Sequence, residues 1–565
     1  MRHLPFLVCG LIVLALIGTA GASPGPTARV SVSSDGGESN AGSAAPSVSA
    51  DGRFVAFASS ATNLVPNDTN AVSDVFLRDV QAGTTSRVSV DAMGNEGSAQ
   101  SLYPDMSADG RFVAFPSAAP NLVPGDTNGA FDIFVRDRVL GTNERVSISS
   151  DAAQGNGTSD TPYISYNGRY VAFSSGASNL VPGDSNAAID IFVRDRSLGT
   201  TERVSVDSAE SQANSASGAP SISPDGRFVA FRSNATNLVP GDTNGFTDMF
   251  VRDRMLGVTV RVNVSSSGTQ ANDGSAQVWI SGDGRFVAFD SFASNLVTGD
   301  TNGVLDVFVR DRDTDADGIF DEPGAASTAR MSVRDNGGQA SFRSAYPVIS
   351  ANGRWVAFNS DYNFDFTDPN GADSDVYLHD RLGGDTMRAS VAFDGTGSDG
   401  PSDVSRLGYD GRFLAFYSFA TNLVPDDTNG LNDSFLRDLD DGDGVAWAAD
   451  NCPMTPGTDQ SDADGDGAGD ACDTGDTDGD GFSDRAEYRV STSRTLACGV
   501  DAWPADINND GYSDISDVSA LTGVFGEAVP PAPARYNIAP DPPDGFVDIT
   551  DVSRMTGLFG VRCSP

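Results

Sequence analysis

The chain has 565 residues and a formal charge of −42; all 36 basic side chains are arginine, and only eight of the 78 acidic ones are glutamate. The length allows a large core with accessory segments, while the charge excludes nucleic acid and anionic membrane surfaces as partners. So much aspartate either solvates a surface or gathers around cations, and its pattern along the chain separates the two.

Residues 1–22 read as a secretory signal: Arg2 and His3 precede an apolar run over 4–18, and Ala20-Gly21-Ala22 forms a small-residue cleavage site. No later stretch is long or apolar enough to span a bilayer. Cys9 opens the apolar run rather than following it, which argues against a lipid anchor. Beyond the signal stand Cys452, Cys472, Cys498 and Cys563. An even count in an exported chain favours two disulfides, with three pairings open; Cys452–Cys472 with Cys498–Cys563 would each close a carboxylate-rich segment.

From residue 23 to 438 one unit recurs. Asp51-Gly-Arg-Phe-Val-Ala-Phe57 returns at Asp109, Asn167, Asp225, Asp283, Asn352 and Asp410, at spacings of 58 residues with a single 69. Each unit carries four strand signals. In the first, Pro46–Ser49 leads through an Asp-Gly turn, a hairpin signal, to Arg53–Ser59. A loop with Asp68 and Asn70 leads to Asp74–Asp79, and Arg87-Val-Ser-Val90 closes the unit. Four short antiparallel strands at a fixed period predict the blades of an all-β, seven-bladed propeller. Arg-Val-Ser-Val-like segments begin at Arg29, Arg87, Arg145, Arg203, Arg261, Arg330 and Arg388, so one precedes the first blade and none follows the seventh. The strand at Arg29–Val32 is therefore expected to complete blade seven and remove an open edge. Ser-Ala-Asp-Gly-Arg-Phe-Val-Ala-Phe, and Ser223-Pro-Asp-Gly226 still more closely, resembles the TolB-like, WD-like propeller repeat. That resemblance implies a scaffold for binding proteins or small ligands, without fixing one activity.

The carboxylates after the ring are ordered. A calcium loop takes ligands at positions 1, 3, 5, 7 (through backbone), 9 and 12, with Gly at 6. Three segments match: Asp462, Asp464, Asp466, Asp470 and Asp473; Asp476, Asp478, Asp480, Phe482, Asp484 and Glu487; Asp506, Asn508, Asp510, Tyr512, Asp514 and Asp517. Asp450-Asn-Cys-Pro453 followed by 459–473 resembles a thrombospondin type 3 repeat, which places such a region at 439–490 and implies a calcium-filled, disulfide-stapled wrapping. The loop around Asp441 and Asp443 fits less well, because Trp447 stands where an acid is expected. Over 491–565, Asp514-Ile-Ser-Asp-Val recurs as Asp548-Ile-Thr-Asp-Val. A duplicated loop followed by an apolar, short helical segment resembles a dockerin, which implies a cohesin-like partner. The second copy offers Asp544, Asp548 and Asp551, but Pro540 and Pro542 fall where ligands belong. A further loop, Asp313, Asp315, Asp317 and Asp321, explains the 69-residue spacing.

Within the blades, Asp68/Asn70/Asp74 and its copies suit either calcium or Asx-turns, and presence in every blade favours turns. Beyond the signal the one histidine, His379, stands where six blades have Arg and reads as a surface substitution. No Ser-His-Asp or Cys-His set can be assembled.

Function should break the ring's symmetry. Four residues before each Asp-Gly turn stand Ser47, Asp105, Tyr163, Ser221, Trp279, Val348 and Arg406, a varied set that strand alternation points to the channel. Asp105, Tyr163, Trp279 and Arg406 are expected either to bind a partner at the channel mouth, with Tyr103 and Tyr346 nearby, or to plug the channel. The resulting expectation is a secreted or cell-surface calcium-binding protein that binds protein or polysaccharide without catalysis. A glycoside hydrolase or lyase tethered through the dockerin-like end is the alternative.

Overall fold

The computed structural model describes residues 27–495 except 335–336, 363, 365–369, 372, 393–394, 444, 456, 474, 476–482, 491 and 493–494, together with Ile507. Seven four-stranded antiparallel sheets stand around one axis. Blade one is built from Ser43–Val48, Phe54–Ser59, Asp74–Asp79 and Thr84–Arg87. Blades two to six cover 105–145, 159–203, 217–261, 275–330 and 344–388. Blade seven has three strands over 402–438, and Thr27–Arg29 supplies the fourth by pairing with Asp433–Asp438, Thr27 opposite Arg437. Ring closure by the N-terminal segment is as expected.

The strand limits differ from the sequence reading in one respect. The outer strand ends at the arginine instead of starting there: Thr84–Arg87, not Arg87–Val90. The chain must leave the sheet after Arg87 so that Ser89 can reach back, where its hydroxyl donates to the fully buried Asp74 at 2.5 Å and accepts from the Val75 amide at 3.1 Å. Asn70 completes that cap, donating to Asp74 at 2.8 Å and to the Gly97 carbonyl at 2.9 Å, while its own oxygen accepts from the Val72 amide. The Arg87 guanidinium sits among Asp68, Asp74 and Glu96. An arginine thus sits at the centre of the blade loop: Asn70 and Asp74 cap the turn, and Asp68 pairs with Arg87.

Apolar clusters fill the spaces between neighbouring blades. Ala56, Val75 and Leu77 of blade one meet Met106, Val113, Phe115 and Phe134 of blade two; each such large side chain taken from water contributes about 1.5–3 kcal/mol. The recurring Asp-Gly-Arg-Phe run staples these layers. Gly110 needs its positive φ of 67° for the turn, and a Cβ there would fall 2.5 Å from the Phe54 ring of blade one. That ring is held between Arg53 of its own blade, at 4.7 Å, and Arg138 of the next, at 4.2 Å. Arg53 also donates two hydrogen bonds to Asp79, at 3.1 and 2.9 Å.

His379 is not on the surface; it is buried, and its Nδ1 shares a 2.8 Å hydrogen bond with Thr386. In the other blades an arginine here reaches a carbonyl of the preceding blade, as Arg78 does to Ser33. The smaller imidazole fits the same slot without a charge, and burial pushes its pKa down to about 4. Between about pH 4 and 6.5 the unfolded chain binds a proton that the ring does not, so stability falls as pH drops through that window, by about 3 kcal/mol across it. His379→Arg is expected to flatten this dependence; urea unfolding measured from pH 4 to 7 tests it, and an unchanged slope would refute the assignment.

After Asp438 the chain leaves the face that carries the Asp-Gly turns, here the lower face, and packs against blades six and seven. Trp447 lies 5.8 Å from Trp355 and donates its indole N–H to the Asp410 carbonyl at 3.2 Å. Arg354 reaches the Asn451 carbonyl at 2.8 Å, and Arg485 pairs with Asp385. Cys452 and Cys472 form a disulfide with Cα atoms 5.6 Å apart. Cys498, Cys563 and, apart from Ile507, the duplicated loops at 506–517 and 544–551 lie outside the described residues. Among the described residues no helix is long and apolar enough to cross a membrane.

Candidate functional site

The channel-facing set comes together on the axis. Arg406 of blade seven donates through Nε to Asp105 of blade two at 3.0 Å. Its guanidinium lies 4.6 Å from the ring centre of Tyr163 and 4.5 Å from that of Trp279, contributed by blades three and five. Tyr163 and Trp279 meet edge to face at 5.1 Å. The other Asp105 oxygen accepts from the Ile164 amide at 2.8 Å. Burial opposes the Arg406 charge, but Asp105 and Tyr163 more than offset it and hold its pKa above that of a free arginine. These four residues form a plug that bridges four blades.

The plug divides the channel. Below it a cavity of about 140 Å³ ends at Tyr166 and Tyr409, whose rings meet across the lower mouth at 4.5 Å. Neighbouring turns are tied there by backbone hydrogen bonds, Ala108 to Tyr166 at 3.0 Å and Ala351 to Tyr409 at 2.8 Å. Above it a cup of about 260 Å³ opens to the long loops, with Tyr103, Tyr346, Tyr417 and Gln277 on its wall and Tyr163, Trp279 and Arg406 on its floor. Among the described residues no carboxylate lines this cup. Asp290 beside it is buried, accepts three backbone N–H groups and has its pKa raised by burial.

The rim has a rule the repeat alone did not reveal. Ala45, Tyr103, Thr161, Ala219 and Tyr346 occupy one position in five blades, and all have positive φ, between 39° and 54°. Each is followed by proline: Pro46, Pro104, Pro162, Pro220 and Pro347. A bulge at this point leaves the next residue outside the ladder, and proline has no N–H to lose there. Blades five and seven have Val278 and Ser405 instead. Val278 pairs with Phe289, and Val404 pairs with Phe416 while its amide donates to Asn359. The bulge turns Tyr103 and Tyr346 outward, 52% and 47% exposed, at a backbone cost on the order of 1–2 kcal/mol per residue. The Tyr-Pro pairs were the available signal for these two residues.

Three carboxylate clusters could hold a metal ion, each with ligand atoms within 4.8 Å of one another: Asp313/Asp315/Asp317, Asp441/Asp443/Asp450 and Asp462/Asp464/Asp466. In the first and third the leading Asp accepts backbone N–H bonds from within its own loop, Asp313 from Asp317 and Gly318, Asp462 from Gly465 and Gly467. Asp321 does not join its cluster; Arg312 takes it at 2.7 Å. Asp470 and Asp473 also stand outside the third cluster, and Asp470 accepts from the Ala463 amide at 2.8 Å. Asp484 and Glu487 are buried on the short helix Asp484–Val490, whereas Asp476, Asp478, Asp480 and Phe482 lie outside the described residues. The middle cluster is not legible from loop spacing, because along the chain Asp450 belongs to the disulfide motif. Asp441 is 1% exposed, its Oδ2 has no hydrogen-bond partner, and burial followed by the Asp443 and Asp450 charges pushes its pKa up to about 6. An all-oxygen, anionic donor set with an orphaned buried oxygen fits a hard divalent cation.

No family model and no curated protein matches this sequence. Solved structures give a likeness of propeller fold only. A putative TolB from Agrobacterium tumefaciens aligns at 17% identity over 63% of this chain and 94% of its own, with a TM-score of 0.32. An oligogalacturonate lyase in complex with manganese aligns at 12% over 73% and 92%, TM-score 0.43. The β-propeller domain of the trilobed protease from Pyrococcus furiosus aligns at 11% over 70% and 95%, TM-score 0.41.

Proposed function

We propose that the protein is an exported, calcium-stabilised propeller that binds an extracellular glycan in the upper cup, with its acidic extension as the attachment end on the opposite face. The observation that carries the glycan reading is the cup itself: aromatic rings, an amide and a committed arginine, with strained, exposed Tyr103 and Tyr346 at the rim. Flat aromatic faces with few polar groups suit the apolar faces of sugar rings. The lining formed by the described residues holds no facing pair of carboxylates, which favours binding over a glycoside hydrolase. Export rests on residues 1–22 and the paired cysteines. Calcium would be held by Asp441, Asp443 and Asp450 and by the two flanking clusters, where it would neutralise carboxylates that otherwise repel one another.

A glycan-binding screen of the full chain tests the proposal. Tyr103→Ala with Tyr346→Ala is expected to weaken retention at least about tenfold without changing the melting temperature. Equal retention by wild type and the double variant would sink it.

A further inference from the structure

Off the axis, between blades three and four, the upper face holds a larger cavity of about 610 Å³. It exists because blade four has Gly218 and Ala219 where blade six places Ala345 and Tyr346 and blade two Leu102 and Tyr103. Several hydroxyls of its walls are already paired: Ser217 with Ser233 at 2.9 Å, Thr161 with Ser174 at 2.8 Å, and Ser175 with Ser159 at 2.9 Å, the last of these outside the lining. Two charged groups line it, one from each blade: Asp160 and Arg232.

Both are half-buried and neither is ion-paired among the described residues. The Arg232 side chain lies over Gly218, its Nε 3.3 Å from where a Cβ would stand, and one of its nitrogens donates to the Ala276 carbonyl at 3.1 Å. The remaining donors are left for the cavity. One Asp160 oxygen accepts from the Thr161 amide at 2.7 Å, leaving its second oxygen for a donor. The exposed Ile189 and the methyl groups of Ala216, Ala219 and Ala276 complete an apolar side.

We infer that this cavity binds a small zwitterion, a free amino acid or short peptide, with its carboxylate on Arg232 and its ammonium on Asp160. The overall field of the chain repels net anions, so a ligand able to use Arg232 arrives most readily when its own positive charge cancels the negative one. A zwitterion is neutral from afar and dipolar at contact, which is the charge pattern of the two walls. Charge-assisted hydrogen bonds at each end give both affinity and orientation. The inference stands apart from the glycan reading, since it uses a different cavity and no residue of the cup floor.

Calorimetric titration of the full chain with alanylalanine tests it, alongside the N-acetylated and C-amidated forms. Saturable binding is expected below about 10 mM, with each blocked form weakened at least about tenfold. This comparison uses the wild-type chain and stands whatever the variants do. Arg232→Met should abolish discrimination against the amide, and Asp160→Asn discrimination against the acetylated form. Ala219→Tyr should close the cavity with a side chain that blades two and six already carry on the same backbone. No saturation by alanylalanine, equal binding of the blocked forms, or undiminished binding by Ala219→Tyr would each overturn the inference.

Discussion

Arg406→Met is expected to destabilise the ring by about 3–5 kcal/mol. The replacement keeps most of the aliphatic bulk between Tyr163 and Trp279 but leaves Asp105, 7% exposed, without its counter-ion. A buried carboxylate that loses its partner costs far more than the pair contributes. Asp105→Ser alone should also destabilise, because it leaves the Arg406 guanidinium between the Tyr163 and Trp279 rings without its carboxylate, although serine itself fits the position, as Ser47 and Ser221 do in blades one and four. In Arg406→Met with Asp105→Ser no buried charge remains, and most of the lost stability should return. Chemical unfolding of the four proteins completes a double-mutant cycle. If the double variant is as unstable as the sum of the single ones, the axial ion pair is not what joins the four blades.

Calcium withdrawal is expected to have the second large effect, largest in the extension and limited within the ring to the Asp313–Asp317 loop of blade five. At calcium about a hundredfold above its dissociation constant, binding contributes about 2.7 kcal/mol, so chelation should raise the rate of proteolysis within residues 440–490 by about two orders of magnitude. Without an ion, Asp441, Asp443 and Asp450 face one another within 4.8 Å. Trp447 anchors the segment through Trp355 and does not use the carboxylates, so cleavage there should begin beyond that contact and spare the blade strands. Asp441→Asn removes one charge and should shrink the difference between the two conditions. Equal cleavage rates with calcium and with chelator would remove calcium from the reading.

The repeat made the ring legible because folding requires the same solution seven times: an Asp-Gly or Asn-Gly turn, an aromatic ring against the next glycine, and an arginine over that ring. Register was harder. The Arg-Val-Ser-Val run looks like a strand, yet its serine is wanted at Asp74, and only a three-dimensional partner can show that. The axial residues were legible as a symmetry-breaking set, but not their commitment to one another; sequence separates Asp105 from Arg406 by 301 positions. The Arg312–Asp321 ion pair was hidden for a related reason, since nothing in the loop spacing announces that an arginine just before the loop turns back onto its last carboxylate. The off-axis cavity was invisible because it is made by small residues, Gly218 and Ala219, which draw no notice in a strand.

The closure of blade seven has a mechanical consequence. Thr27 lies opposite Arg437, so the chain enters the ring at residue 27 and leaves it after 438 from adjacent points on the lower face. Tension applied through these two points loads the ladder from one end, and its hydrogen bonds break in succession instead of sharing the load. A three-residue latch opened in this way yields at low force, while the other six sheets, each formed from one continuous stretch of chain, stay intact. A tether carried on either segment would therefore keep the cup facing away from the anchor and give way first at the seam.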